Sequence, residues 1–235
     1  MPGTLYLIPA PLGNSHYLPI PKNVLDIVYT LEVFIVERGK TARQYLKQWQ
    51  TPIPFQNMTF FELNKHTDLK DLPSFLDPAI KLGKNVGLMS EAGCPGVADP
   101  GADVILLAHE QGLNVVPLVG PSSILLALMA SGLNGQTFAF QGYLPIKAPE
   151  RGKQMKHLEQ LSRKLCQTQI MIETPYRNDA FLTDLIKQLH PNTLLTVATD
   201  ITLPTQYIKT MTIGHWRSVE KPKLHKRPTV FLFLG

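Results

Sequence analysis

Residues 90–101, SEAGCPGVADPG, constrain this chain more than any other stretch. They follow an apolar run at 86–89 that reads as a buried strand, and precede an apolar-periodic segment at 102–111 that reads as a helix. Three glycines and two prolines in twelve residues fit neither element, so the stretch is a shaped loop at the carboxyl end of a strand. Open α/β sheets bind ligands at that place. A plain connection from strand to helix takes about 2–6 residues, so the extra length needs a reason. The loop also carries two carboxylates, Glu91 and Asp99, and a thiol, Cys94.

The first half of the chain repeats this alternation. Strand-like runs fall at 4–9, 33–36, 59–62, 86–89 and 114–118, with helix-like stretches at 22–31, 41–49, 72–82 and 102–111. A proline interrupts the third helical stretch, and Gly112 caps the fourth. Such alternation predicts a parallel sheet covered by helices. In the second half, Ser122 or Ser123 caps a helix that runs to Ser131 and is ended by Gly132. Strand-like runs at 193–199, 205–212 and 229–234 have short connections, which favour antiparallel pairing, so a mixed sheet is expected there.

Composition bounds the function classes. The chain has 235 residues, 44% hydrophobic and 17% charged, as a folded core requires. No apolar run approaches the roughly 20 residues that span a bilayer, and the N-terminus lacks a basic leader. The expectation is a cytoplasmic protein with no membrane partner, in which Cys94 and Cys166 stay reduced. A formal net charge of +5 and a sequence pI near 9.1 are compatible with RNA without requiring it. The densest basic run is 221–227, KPKLHKR, which reads equally as a solvated loop or a phosphate contact. Lys147, Arg151, Lys153 and Lys156 form a second cluster. There is no GxGxxG after the first strand, no GxxxxGK[ST], no HExxH or CxxC spacing and no GxSxG elbow. Dinucleotide, P-loop, metal and triad chemistry therefore have no support.

Five motifs in order resemble the ribosomal RNA small-subunit methyltransferase I family, within the tetrapyrrole methylase-like enzymes that use S-adenosylmethionine (SAM). Residues 90–101 resemble its SDAGTPxxSDPG, and residues 3–14, GTLYLIPAPLGN, its GTLYIVATPIGN. PLVGPSS at 117–123, GYLP at 142–145 and ETPYR at 173–177 are similar to its PLPGPSA, GFLP and ESPHR. The resemblance implies an α/β chain of two domains, 1–119 with a mostly parallel sheet and 120–235 with a mixed sheet, with SAM in the cleft. It implies Pro11, Gly93, Cys94, Val97, Ser122 and Ser123 as cofactor contacts, joined by Ile172, Ala198 and Pro228. The helix start at Ser122 and Ser123 has a physical warrant as well, since such a terminus suits a carboxylate. Asn14, Lys147, Arg151 and Arg177 are expected to meet the substrate, although Arg177 also reads as an ion pair with Glu173.

VERGKTAR at 36–43 is similar to the family's AEDTRxxR. Glu37 and Arg43 match, Lys40 replaces one cation by another, and Arg38 and Gly39 depart from the pattern. Glu37, Lys40 and Arg43 are the expected catalytic group. With Arg38 and Lys40 beside it, Glu37 is expected to stay ionised, and so to hold the acceptor or fix Arg43 rather than act as a strong base. Tyr176 stands where the family has histidine.

The function this implies is methyl transfer from SAM to a ribose 2′-hydroxyl of small-subunit ribosomal RNA, by a homodimer. Two alternatives share the fold: methylation of a tetrapyrrole or other small molecule, and SAM binding without catalysis. A metal-dependent phosphohydrolase is more remote. Family members commonly run on past the strand that precedes Gly235. Weaker RNA affinity, help from a dimer partner and a different acceptor are the expectations this leaves open.

Overall fold

The structure is a computed structural model and describes residues 1–14, 19–64 and 66–235. The chain divides into two units, Met1–Ser122 and Ser123–Gly235. The first contains β1 (Thr4–Ile8), α1 (Lys22–Val28), β2 (Val33–Val36), α2 (Gly39–Gln48), β3 (Thr59–Glu62), α3 (Leu72–Leu82), β4 (Val86–Met89), α4 (Gly101–Glu110) and β5 (Asn114–Pro117). Its five strands are parallel, in the order β3-β2-β4-β1-β5.

The central strands β2 (VFIV) and β4 (VGLM) are buried along their whole length. Continuous apolar strands of this kind belong in parallel sheets covered on both faces. The alternation of side chains assigns each face. Phe34 and Val36 pack with Val24 and Leu25 of α1 and Ala42 and Leu46 of α2. Val33 and Ile35 pack with Leu76 and Ala79 of α3 and Val104 and Ala108 of α4. β1, β4 and β5 are neighbours, so the three loops that leave their carboxyl ends lie side by side.

The second unit contains α5 (Ser123–Ser131), β6 (Phe138–Tyr143), α6 (Ala148–Leu165), β7 (Thr168–Ile172), α7 (Asn178–Gln188), β8 (Leu194–Thr199), β9 (Tyr207–Thr212), α8 (Ile213–Ser218) and β10 (Thr229–Leu234). The sheet order is β6-β7-β10-β8-β9. β6 pairs with β7 in parallel, and the other three pairings are antiparallel, so the sheet is mixed as expected. Its core gathers Phe181 of α7, Trp216 of α8 and Phe231 and Phe233 of β10, all fully buried. The Phe181 and Phe231 rings lie 5.0 Å apart, and the Trp216 indole N–H donates to the Leu195 carbonyl at 2.9 Å.

Phe231 sits on the central strand of this sheet with no exposed surface. Phe231→Ala is expected to destabilise the second unit by about 3–5 kcal/mol, read as a lowered midpoint in denaturant unfolding.

Candidate functional site

Three loops meet at the carboxyl edge of the first sheet. Ala10, two residues past β1, and Gly93, in the loop after β4, form an isolated antiparallel bridge. The Ala10 N–H donates to the Gly93 carbonyl at 2.8 Å, and the Gly93 N–H returns a bond to Ala10 at 3.0 Å. Gly93 has φ +75°, a conformation that strains any residue with a side chain. The loop after β5 joins the pair. The Cys94 thiol lies 3.5 Å from the Pro121 carbonyl, and a Cβ on Gly120 would stand 2.4 Å from Pro9 Cβ. Glycine at 120 is thus required by the close approach of the Pro9 ring. Pro11, Gly93 and Cys94, expected on one ligand, are brought together in this way. Val97 leaves 48% of its surface in water at the same loop. Ser122 closes the first unit and Ser123 opens the second, where it starts α5.

The loop at 90–101 is held in shape by its own polar groups. Asp99 Oδ1 accepts from the N–H groups of Gly96 at 2.6 Å and Gly101 at 2.8 Å. Ser90 Oγ donates to the Gly93 carbonyl at 2.9 Å. Glu37, just past β2, reaches the same loop: its Oε1 accepts from the Glu91 N–H at 3.0 Å. Glu91 in turn accepts from the Thr41 hydroxyl at 3.2 Å and lies 4.0 Å from Arg38 Nε. Arg38 departs from the resembled pattern, and here it faces one of the acids.

The fold gives Glu37 surroundings that its sequence neighbours do not show. Burial pushes its carboxyl above the ordinary range, and the nearby Asp99 and Glu91 push it the same way. The hydrogen bond from Glu91 and the charge of Arg38 oppose these effects without overcoming them. Sequence neighbours had promised two cations; the fold instead half-buries the group beside two more acids. Burial also raises Asp99 against its two backbone bonds, and burial with Asp99 raises the Cys94 thiol.

Lys40 and Arg43 lie on the exposed side of α2. Arg43 does not pair with Glu37 among the described residues; its guanidinium lies 4.4 Å from the centre of the Phe60 ring. Gly39 makes this possible, because a Cβ there would come within 2.9 Å of the Arg43 guanidinium and 3.0 Å of Glu62 Oε1. That Glu62 oxygen accepts the Gly39 N–H at 2.8 Å, placing a carboxylate at the start of α2.

In the second unit, Ile172 and Ala198 both lie opposite Val230 in β10. Pro228 precedes that strand, and its carbonyl accepts from the Asp200 N–H at 3.0 Å. The three residues expected on the cofactor therefore share one end of the mixed sheet. Asn14 and Lys147 are exposed. Arg151 is not available to a substrate: it is buried, its Nε and Nη2 bond Asp184 of α7, and its Nη1 bonds the carbonyls of Pro145 and Ile146. It is a brace for the GYLP turn. Arg177 pairs with the buried Glu173 at 2.6 Å. Arg227, in the basic run, is likewise committed, to Asp200 and to the carbonyls of Lys223 and Thr205. Among the described residues, no group of three or more His, Cys, Asp or Glu is placed to hold a metal ion, and no helix is long and apolar enough to cross a membrane.

A parallel five-stranded sheet followed by a mixed five-stranded sheet is the α/β architecture of the tetrapyrrole methylases. The chain belongs to the family described as Tetrapyrrole (Corrin/Porphyrin) Methylases, whose pattern matches residues 4–216. It is similar to the ribosomal RNA small subunit methyltransferase I of a Synechocystis species, at 30% identity over 85% of this chain and 67% of that protein. The protein of the same name from Vibrio cholerae is 28% identical over 89% of this chain and 69% of its own. The crystal structure of the methyltransferase CobJ shares the fold, with a TM-score of 0.65 at 17% identity, covering 99% of this chain and 94% of that one.

The raised carboxyls make stability depend on pH with a definite sign. A group whose folded pKa is raised binds protons more tightly in the folded chain. Its stabilising contribution is present below its ordinary pKa and is lost as pH rises through the raised value. Glu37→Gln removes the charge and keeps an oxygen for the Glu91 N–H. Its melting midpoint near neutral pH is expected to equal or exceed the parent's, with a shallower loss of stability as pH rises through the carboxylate range. Thermal melts across that range check this; a clearly lowered midpoint at neutral pH would contradict it.

Proposed function

We propose that this chain transfers the methyl group of SAM to a ribose 2′-hydroxyl of small-subunit ribosomal RNA. The observation that carries the reading is that relatives named for ribosomal RNA align with it along most of its length. SAM supplies an electrophilic methyl group on a sulfonium. Three features of the first unit fit that molecule. Val97 offers exposed apolar surface for an adenosine. Glu91 and Asp99 place carboxylates in the 90–101 loop that would complement a sulfonium. Gly93, at positive φ, and Gly120, packed against the Pro9 ring, hold the loops in place where a side chain would strain or clash. Pro11, Gly93, Cys94, Val97 and Ser122 are the residues of the first unit that would hold the cofactor.

The chain's own work is to align the acceptor oxygen with the methyl carbon and to take a proton. Alignment accelerates a displacement greatly, because translational and rotational freedom has already been lost. A ribose hydroxyl is a poor nucleophile and needs a base. Glu37 suits that role: its raised pKa makes its carboxylate a better proton acceptor than an exposed one. Lys40 and Arg43, exposed on α2, together with Asn14 and Lys147, would meet the RNA backbone. The working form in this reading is a cytoplasmic homodimer, and the 79% exposed Met129 of α5 is apolar surface that a second copy would cover.

Transfer of labelled methyl from SAM to small ribosomal subunits, followed by mapping of the modified nucleotide, tests the reading. Label in a ribose of the RNA is expected. Label in a tetrapyrrole with RNA inert would select the small-molecule alternative, and cofactor binding without transfer would select the non-catalytic one. Glu37→Gln is expected to lower turnover by about 10²–10⁴-fold, with SAM affinity close to the parent's.

A further inference from the structure

We propose that Tyr176, braced by His225 and flanked by Lys223 and Lys226, is a platform on which the chain stacks an unpaired base of its RNA. The proposal rests on RNA being the acceptor and adds a defined contact to that reading.

Tyr176 lies in the loop after β7, and 69% of its surface is in water. Single exposed aromatics are ordinary. What sets this one apart is that its backbone is fixed while its ring is left open. Three hydrogen bonds lace its surroundings to the loop that precedes β10. The Lys226 N–H donates to the Pro175 carbonyl at 2.9 Å, the buried Asn178 amide donates to the Arg227 carbonyl at 2.7 Å, and the Leu224 N–H donates to Asp179 Oδ1 at 2.8 Å. Leu224 itself is fully buried and anchors that loop. His225 meets the Tyr176 ring edge to face, with centroids 5.8 Å apart and planes at 73°. This packing fixes the ring's attitude and leaves most of its surface uncovered.

The charge around the ring has a matching division of labour. Arg227 is consumed in holding the loop, through Asp200 and two carbonyls. Lys221, Lys223 and Lys226 make no ion pair among the described residues and are exposed. Tyr176 thus presents an open aromatic face on a loop hydrogen-bonded to a segment whose exposed lysines make no ion pair among the described residues. Single-stranded RNA presents that pair of features, an unstacked base and adjacent phosphates, whereas a duplex keeps its bases stacked. An acidic protein surface would use the lysines and leave the open ring without a partner.

The test uses the full chain and a labelled, unstructured oligoribonucleotide, with a duplex of the same sequence as the comparison. Tyr176→Ala is expected to weaken binding of the single strand by about 5- to 150-fold, the range for loss of one base–aromatic stack. Tyr176→Phe keeps the face and is expected to keep the affinity. Trp49 and Trp216 are buried, so Tyr176→Trp adds an exposed indole whose fluorescence should change with single-stranded RNA and stay constant with the duplex. Combined Lys223→Glu and Lys226→Glu should lower the salt dependence, by about 0.7 in log–log slope for each phosphate no longer neutralised. Parent-like binding by Tyr176→Ala, with an unresponsive Tyr176→Trp, overturns the platform and leaves RNA methylation standing. A loss confined to intact subunits, with naked RNA bound normally, also overturns it and assigns the patch to a ribosomal protein. If the parent itself binds no RNA, the acceptor reading and the platform fall together.

Discussion

Two hydrogen bonds between Ala10 and Gly93 hold together the part of the first unit where its chemistry would take place. Parallel strands end by sending their chains off to separate helices, and the pairing of β1 with β4 stops at Ile8 and Met89. The bridge extends the pairing beyond the strands, and it works only with Gly93 at positive φ. Each bond contributes about 0.5–1.5 kcal/mol net, and their main effect is geometric. With Gly93 fixed, Ser90 and Asp99 close the rest of the 90–101 loop on itself. Pro9 and Gly120 then bring in the loop after β5.

The same convergence creates an electrostatic burden. Glu37 and Asp99 come together beside Glu91, where burial raises the carboxyls of Glu37 and Asp99, and the exposed Arg38 lies 4.0 Å from Glu91. An exposed pair at that separation contributes about 0–1 kcal/mol. Each acid is held by hydrogen bonds instead, Glu37 by the Glu91 N–H, Glu91 by the Thr41 hydroxyl, and Asp99 by the N–H groups of Gly96 and Gly101. The second unit shows the opposite habit. Arg151, Arg177 and Arg227 each have a carboxylate partner and act as braces.

How much of this was legible in the sequence follows from how local each cause is. β2, β3 and β4 fall at the expected residues, because short apolar runs between breakers in an alternating chain leave little choice of register. The 90–101 loop was legible for the same reason, since its glycines and prolines exclude regular structure. β6, α6 and α8 were not read. β6 is only half-buried and has an irregularity between Phe140 and Tyr143, and α6 buries Arg151, Glu159 and Ser162 along with its apolar residues, which blurs the helical period. The roles of Arg151 and Glu37 were out of reach for a further reason. Their partners lie 33 and 54 residues away, so side-chain chemistry that looked free or cation-flanked in sequence is settled by the fold.

The position of β10 has a consequence for how the chain comes into being. It is the last strand in sequence and yet stands in the middle of its sheet, between β7 and β8. As the chain leaves the ribosome, the first unit has all its strands by residue 117 and can close early. In the second unit, the β6–β7 pair and the β8–β9 hairpin can form but have nothing to join them. Each presents an open edge and an uncovered apolar face until residues 229–234 slide between them. Completion of the second sheet is therefore a late, single insertion, and the exposed edges make the nascent second half the stage of synthesis most vulnerable to wrong pairing.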